Sequence, residues 1–208
     1  MNKKIAIFAS GSGSNFINIY KNAKANNIKG SISLLVSNNK NCGAVKFAIK
    51  NNINLYIYNL DLFPNDFNNL LLIKKLIFHS IELIVLAGYL KKISRELIKV
   101  FNHKIINIHP SLLPKFGGKG FYGINVHKAV FDSNETETGA TIHFVDDYYD
   151  TGPILIQEKI FIKKEYNIED IATKVLELEH KIYPIAIKYF CLDKISWKNN
   201  IPCIEEIN

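Results

Sequence analysis

The chain has 208 residues, of which 48% are hydrophobic and 22% are charged, a composition typical of a globular domain with a full core. The formal net charge of +7 suits anionic ligands, but the lysines are spread along the chain, which argues against nucleic-acid binding. The three cysteines have neither a disulfide-framework nor a metal-ligand spacing, and no apolar stretch has the length of a signal-peptide core or a membrane span. We therefore expect a cytoplasmic protein without a metal, a membrane partner or a nucleic-acid partner.

The first segment of the chain combines a strand, a glycine-rich loop and a helix. Residues 4–9 are typical of a buried strand, residues 10–15 contain two glycines among serines, and residues 16–24 have helical spacing. Such an arrangement points backbone N–H groups at an anion, which predicts a seat for a single phosphate. It is not a dinucleotide fingerprint, because Phe16 replaces the third glycine, and no Walker lysine follows. A tight turn with a serine or asparagine helix cap explains the loop equally well.

Strands and helices continue to alternate through the first half of the chain. The apolar spacing predicts strands at 31–37, 55–58 and 83–86, and helices at 43–51, 66–80 and 94–101. Ser94 is the expected N-cap of the last of these helices. Alternation of this kind predicts an α/β fold with a Rossmann-like, mostly parallel sheet flanked by helices.

The stretch 105–114 is predicted to be a strand that carries functional side chains. Its β-branched residues are typical of a sheet interior, and Pro110 ends the strand. Asn107 and His109 are two residues apart, so their side chains point to the same face. The strand would deliver an amide and an imidazole to the sheet edge where α/β folds bind ligands. An isolated Asn-x-His is also explained by ordinary hydrogen bonds at a strand end.

The second half of the chain has longer loops. The glycine- and aromatic-rich loop 116–123 is either a flexible connection or a wall of a site, with Lys119 available to an anion. A short helix is predicted at 126–133, followed by strands at 138–145 and 154–162, which we expect to make the C-terminal part of the sheet partly antiparallel. The connection between these strands is long enough to be functional. Asn167 and Asp170 predict a capping box that opens a helix extending to about residue 190, and residues from 196 onward predict nothing.

Four segments together carry a family resemblance that covers nearly the whole chain. They are Gly-Ser-Gly-Ser-Asn at 11–15, Leu-Ala-Gly-Tyr at 86–89, Asn-Ile-His-Pro-Ser-Leu-Leu-Pro at 107–114, and 143–153, which begins His-Phe-Val-Asp and ends Asp-Thr-Gly-Pro. With them the chain resembles the formyltetrahydrofolate-dependent formyltransferases, and among these the glycinamide ribonucleotide formyltransferases. The resemblance implies a single domain, 1–208, with a phosphate-binding half at 1–100 and a folate-binding, catalytic half at 101–208. The phosphate loop distinguishes the chain from methionyl-tRNA formyltransferases.

The resemblance implies an activity and a catalytic trio. The activity is direct transfer of the formyl group from 10-formyltetrahydrofolate to the primary amine of glycinamide ribonucleotide, through a tetrahedral intermediate, in purine biosynthesis. The trio falls on Asn107, His109 and Asp150. An asparagine NH₂ suits a developing oxyanion, a histidine can donate a proton, and an aspartate can hold the imidazole. By itself, Asp150 is also explained as a turn carboxylate before Thr-Gly-Pro.

Other binding residues follow from the family's positions. Gly13, Ser14 and Asn15 are implied to bind the phosphate of glycinamide ribonucleotide, and Glu179 its ribose, although a solvated helix carboxylate is the commoner fate of a glutamate. His143 is expected to support the site rather than to act in the chemistry. In some relatives an arginine in the region 64–67 contacts the folate's glutamate tail. This chain has Asp66 in that region, so the tail contact must come from elsewhere or be absent. The folate site is implied to involve Leu90, Lys91, Lys92, Ile93, Asn107, Asp146, Asp147, Tyr148, Tyr149 and Asp150.

Two other functions remain open from the sequence. The chain could be another user of 10-formyltetrahydrofolate that acts on a different amine or on water, although the phosphate loop disfavours this. It could also be a non-catalytic module that binds folate or a nucleotide, although the presence of all three catalytic residues argues against that. The expected partners are therefore the two small-molecule substrates, in a monomer or a weak homodimer.

Overall fold

The computed structural model describes residues 2–58 and 65–205, with the side chains of the segment from residue 65 described from Asn68 onward. Helices and strands alternate up to residue 109, as the sequence predicts, and most predicted boundaries lie within two residues of the observed ones. The elements in chain order are β1 Lys3–Phe8, α1 Ser14–Lys24, β2 Gly30–Ser37, α2 Gly43–Lys50, β3 Leu55–Ile57, α3 Asn65–Phe78, β4 Leu83–Leu86, α4 Arg95–Val100, β5 Ile105–His109, α5 Ile124–Asp132, β6 Glu137–Phe144, β7 Ile154–Phe161, α6 Ile168–Cys191, β8 Ile195–Lys198 and β9 Ile201–Ile204.

Among the described residues, seven strands form one sheet in the order β3-β2-β1-β4-β5-β6-β7. The pairs β1–β2, β1–β4 and β2–β3 are parallel, whereas β6 and β7 are antiparallel. This confirms the predicted α/β fold with a mostly parallel sheet whose C-terminal part is partly antiparallel. Within the described ranges, no helix is both long enough and apolar enough to cross a bilayer.

The chain divides into two compact units, Met1–Ile106 and Asn107–Asn208. In the first unit, the parallel strands carry the core. Ile5, Ala6, Ile7 and Phe8 are consecutive in β1 and all have no exposed surface, although neighbouring residues point to opposite faces of the sheet. A strand buried on both faces needs an unbroken apolar run, which is why this segment of the sequence does not alternate.

The second unit is built around the β6–β7 pair and the long helix α6, which packs on both strands. The predicted capping box opens this helix. The Asn167 side chain accepts a hydrogen bond from the Asp170 N–H at 2.8 Å, and the Asp170 carboxylate accepts one from the Asn167 N–H at 3.0 Å. The reciprocal bonds satisfy two backbone donors that a helix start otherwise leaves unpaired.

A two-stranded hairpin, β8–β9, lies in the segment for which the sequence predicted nothing. Its turn residues Asn199 and Asn200 have φ values of 51° and 60°. Two successive left-handed residues define the tight hairpin turn that asparagine favours, so the pair Asn-Asn between short apolar segments was a usable signal. Trp197 anchors the hairpin, because its ring lies 4.7 Å from the ring of Phe144 in β6.

We predict that Asn167→Ala lowers the free energy of unfolding by about 1 kcal/mol, because it removes the side-chain acceptor of the capping box. Urea unfolding followed by circular dichroism measures the difference. Asn41→Ala, at an exposed position near the start of α2, is the control and should change stability by less than about 0.5 kcal/mol. Equal losses in the two variants would contradict a stabilising role for the cap.

Candidate active site

The predicted phosphate loop lies at the start of α1, in the first unit. Gly13 caps this helix with a φ of +82°, and a Cβ on it would lie 2.9 Å from the Cα of Ala44. A Cβ on Gly43 would lie 2.6 Å from the carbonyl oxygen of Ser12, so the loop packs directly on the start of α2. The first turn of α1 has no acidic residue, and its N-cap residue, Gly13, has no side chain that could cap the helix. These features fit an anion facing backbone N–H groups.

The segment from Leu90 to Ile93, predicted to contact folate, is also in the first unit. Its start is tied to the end of β1, because the Ser10 hydroxyl accepts the Leu90 N–H at 3.0 Å and the Ser10 N–H bonds the Gly88 carbonyl at 3.1 Å. Leu90 is 55% exposed, Lys91 and Lys92 are exposed, and Ile93 is buried. Leu90 therefore offers apolar surface to a ligand, whereas Ile93 belongs to the core.

Asn107, His109 and Asp150 lie together in the second unit. The Nδ1 atom of His109 is 3.4 Å from Oδ2 of Asp150, and the Nδ2 atom of Asn107 is 3.4 Å from Oδ1 of the same carboxylate. The first two residues come from β5 and the third from the loop between β6 and β7. Asn107 and His109 lie on the same face of β5, as the two-residue alternation predicted. The structure places both side chains beside one carboxylate.

The loop that carries Asp150 is held in an unusual conformation. Asp150 has a φ of +57°, a left-handed value that is uncommon outside glycine, asparagine and aspartate. A Cβ on Gly152 would lie 1.8 Å from the carbonyl oxygen of Phe144, so only glycine fits there. The Asp146 carboxylate closes the loop by accepting hydrogen bonds from the Thr151 hydroxyl at 2.8 Å and the Tyr148 N–H at 3.0 Å.

A buried hydroxyl holds the chain just after β5. The Thr141 hydroxyl donates to the Ser111 carbonyl at 2.7 Å and accepts the Leu113 N–H at 3.1 Å. The Gln157 amide donates to the same hydroxyl at 2.8 Å and to the Leu113 carbonyl at 3.0 Å. β6 and β7 thus fix the segment that follows His109.

Backbone groups of the loop after Pro114 complete the site. The sequence allowed this loop to be a wall of a site, but it did not predict hydrogen bonds from the loop backbone to the trio. The Nε2 atom of His109 is 2.7 Å from the Phe116 carbonyl oxygen, and the Gly118 N–H donates to Oδ2 of Asp150 at 2.9 Å. A Cβ on Gly117 would lie 3.3 Å from the Cβ of Asp150. Gly117 therefore allows the loop to approach the carboxylate closely, whereas Gly118 and Gly120 have φ values of +97°, which favour glycine for the backbone conformation itself.

Burial and neighbouring charges act in opposite directions on the pKa values of His109 and Asp150. Burial lowers the pKa of His109, and it outweighs Asp150 and the Phe116 carbonyl, which favour the charged ring. Burial alone would raise the pKa of Asp150, but contacts with His143 and His109 and the Gly118 N–H hold it below its ordinary value. The carboxylate thus remains charged, while the imidazole gives up its proton readily.

His143 was expected to support the site, and the structure brings it into direct contact with the trio. It is 2% exposed. Its Nε2 atom lies 3.1 Å from Nδ2 of Asn107 and 3.5 Å from Oδ1 of Asp150. The alternation of the predicted strand indicated which face of the sheet the His143 side chain lies on. It could not indicate the contact with Asn107, which comes from a different strand.

The remaining predicted residues occupy varied environments. Glu179 is buried in α6, whereas Tyr148 and Tyr149 are exposed and Asp147 is half-buried. The side chain of Asp66 lies outside the described residues. Within the described ranges, no cluster of three or more histidine, cysteine, aspartate or glutamate side chains could hold a metal ion.

Comparison with known proteins assigns the chain to a family. The family model described as formyl transferase matches residues 3–187. The chain belongs to the formyl transferase family. This confirms the family resemblance, and the match spans both the loop at 11–15 and the predicted catalytic trio.

Two relatives illustrate the level of similarity. The chloroplastic phosphoribosylglycinamide formyltransferase of Vigna unguiculata is 41% identical over 205 residues, which cover 98% of this chain and 66% of that protein. The phosphoribosylglycinamide formyltransferase of Bacillus subtilis (strain 168) is 38% identical over 191 residues, which cover 89% of this chain and 93% of that protein. This chain therefore spans about two thirds of the plant relative's length and nearly all of the bacterial relative's.

A solved structure supports the same relationship. Glycinamide ribonucleotide transformylase 1 from Symbiobacterium toebii superposes with a TM-score of 0.91 at 26% identity, covering 98% of this chain and 94% of that chain. The predicted formyltransferase class is confirmed by these relatives, all of which are named for formyl transfer.

A buried histidine in α5 makes the folding stability of this formyl transferase depend on pH. His127 is 7% exposed, its Nδ1 has no hydrogen-bond partner among the described residues, and burial, with the charge of His109, lowers its pKa from 6.5 to about 4. Between these values the unfolded chain binds a proton that the folded protein does not. Stability is therefore lost as the pH falls from 6.5 towards 4.

We predict that His127→Phe makes the loss of unfolding free energy between pH 7 and pH 4.5 smaller than in wild type by about 2 kcal/mol. Urea unfolding at the two pH values measures it, with the exposed His103→Asn as the control. An unchanged loss in His127→Phe would show that His127 takes up its proton without cost to the fold.

Proposed function

We propose that this chain transfers the formyl group of 10-formyltetrahydrofolate to the primary amine of glycinamide ribonucleotide, giving formylglycinamide ribonucleotide and tetrahydrofolate in purine biosynthesis. The observation that carries the proposal is the cluster of an amide, an imidazole and a carboxylate at the end of β5, in a chain whose relatives bear this enzyme's name. Both reactants are small molecules, and the reaction needs neither a metal nor a covalent enzyme intermediate.

Asn107 is assigned to the developing oxyanion. When the amine attacks the formyl carbon, the carbonyl oxygen becomes negatively charged, and the Asn107 NH₂ can donate to it. Its Nδ2 atom contacts His143 at 3.1 Å and Asp150 at the longer distance of 3.4 Å, so the N–H that faces Asp150 can turn to a stronger acceptor. One such donor is worth about 2.7–4 kcal/mol of transition-state stabilisation.

His109 is assigned to proton transfer. Both of its ring nitrogens face oxygen atoms, Asp150 Oδ2 and the Phe116 carbonyl, which suits a protonated ring, while burial makes that ring a stronger acid. During collapse of the tetrahedral intermediate, the carbon–nitrogen bond to the folate breaks, and the leaving nitrogen needs a proton. His109 takes a proton from the attacking amine and passes it to the leaving folate nitrogen, and Asp150 stabilises the ring while it is charged.

Binding roles are proposed for the other residues that the family positions imply. Gly13, Ser14 and Asn15 would hold the substrate phosphate, and the buried Glu179 its ribose. Leu90, Lys91, Lys92 and Ile93 and the loop 146–150 would hold the folate. In that loop Asp146 also closes the backbone through Thr151, so its part in folate binding would be to present backbone groups. We further propose that the protein works in the cytoplasm as a monomer or weak homodimer.

The proposal is tested by spectrophotometric assay with 10-formyl-dideazafolate and glycinamide ribonucleotide. We expect wild-type turnover that requires the nucleotide, and a loss of kcat of about 10²–10⁴-fold in His109→Asn, because the general acid is removed. His103→Asn makes the same chemical change at an exposed position and should retain wild-type turnover.

Two results would contradict the proposal. Consumption of the folate analogue without the nucleotide would indicate a hydrolase. Tight binding of both ligands without turnover would indicate a binding module.

A further inference from the structure

Hydrogen bonding defines which nitrogen of His143 carries a proton. The Nδ1 atom lies 2.9 Å from the carbonyl oxygen of Phe144. A carbonyl oxygen can only accept, so Nδ1 must be the donor. In a neutral ring, Nε2 then has a lone pair and can only accept, so its 3.5 Å approach to the Asp150 carboxylate is not a hydrogen bond.

The second nitrogen of His143 faces the amide of Asn107. Nε2 and Asn107 Nδ2 are 3.1 Å apart, and Nδ2 is also 3.4 Å from the Asp150 carboxylate. The NH₂ group is therefore placed between two acceptors, each of which can receive one of its hydrogens. Turning the amide over would place its oxygen against the imidazole lone pair and the carboxylate, which is repulsive.

We propose that His143 is a positioning residue of the transfer reaction, which acts by holding the Asn107 amide with its NH₂ end towards Asp150. The inference rests on the proposed function and adds a role to a residue outside the trio. His143 receives one N–H of Asn107 at 3.1 Å, and the other N–H, in the longer contact with Asp150, remains available to the oxyanion. An amide free to turn over would spend part of its time presenting oxygen to a developing negative charge.

The contacts of His143 also explain why it does not transfer protons itself. Its Nδ1–H is bound to the Phe144 carbonyl, its Nε2 faces Asn107, and only 2% of the residue is exposed. His109, in contrast, faces Asp150 with one nitrogen and a loop carbonyl with the other. The two histidines therefore have different roles although they lie against the same carboxylate.

Two variants of His143 separate the acceptor from the ring. His143→Phe keeps an aromatic ring and removes the acceptor, and we expect kcat to fall about 10- to 100-fold with KM values for both substrates within about threefold, less than the loss of a whole oxyanion donor. His143→Gln offers an oxygen acceptor and should recover at least part of kcat. Thermal unfolding of each variant confirms that assays are run on folded protein. A loss of the same size in both variants would overturn the proposal.

A double variant tests whether His143 acts through Asn107. If it does, adding His143→Phe to Asn107→Ala should cause no further loss of kcat, because the group that it positions is already absent. A further 10-fold or greater loss in the double variant would show that His143 acts independently and would overturn the proposal.

A measurement without turnover keeps the inference distinct from the proposed function. The side-chain NH₂ signals of Asn107 in ¹⁵N-labelled full-length protein are identified by their absence in Asn107→Ala. We expect them to shift in His143→Phe and to remain closer to their wild-type positions in His143→Gln. Unchanged signals in His143→Phe would overturn the inference. If the signals shift in His143→Phe but the wild-type protein does not formylate the nucleotide, only the proposed function is refuted.

Discussion

The carboxylate of Asp150 is the constraint on which the rest of the site depends. It is 11% exposed, and it contacts the imidazole of His109, the amide of Asn107 and the N–H of Gly118. It is an acceptor that all three groups share, while Asn107 and His109 each have a second partner, in His143 and in the Phe116 carbonyl. Together with Nε2 of His143 it favours the orientation in which the NH₂ end of the amide faces the two acceptors. The chemistry therefore follows from placing one buried charge correctly.

The fold places that charge with three devices. The backbone at Asp150 adopts a left-handed φ, which the hydrogen bonds of Asp146 to Thr151 and Tyr148 support. Gly152 allows the loop to pass against β6, where no side chain fits. The Thr141 hydroxyl fixes the chain after β5. A rigid strand pair thus supports a strained loop, which is the usual division of labour between a scaffold and a site.

Local patterns in the sequence predicted the features that depend on local rules. Alternation along β5 predicted that Asn107 and His109 share a face, and the spacing of Asn167 and Asp170 predicted the capping box. Features that depend on tertiary packing were not predictable in this way. The Phe116 carbonyl on His109, the contact between His143 and Asn107, and the contact between Asn107 and Asp150 join residues 7, 36 and 43 positions apart in the chain. The role of Asp150 came from family resemblance, because a single aspartate in a turn carries no distinguishing pattern.

The most direct test of the central role of this carboxylate is the rate of formyl transfer to glycinamide ribonucleotide by Asp150→Asn. Asparagine has the same shape and tolerates the left-handed backbone, so the substitution removes the charge with little change in the loop. We expect kcat to fall at least about 100-fold, because a neutral partner no longer stabilises the protonated His109 in the transition state. A kcat within about threefold of wild type, in a protein of unchanged stability, would contradict the account.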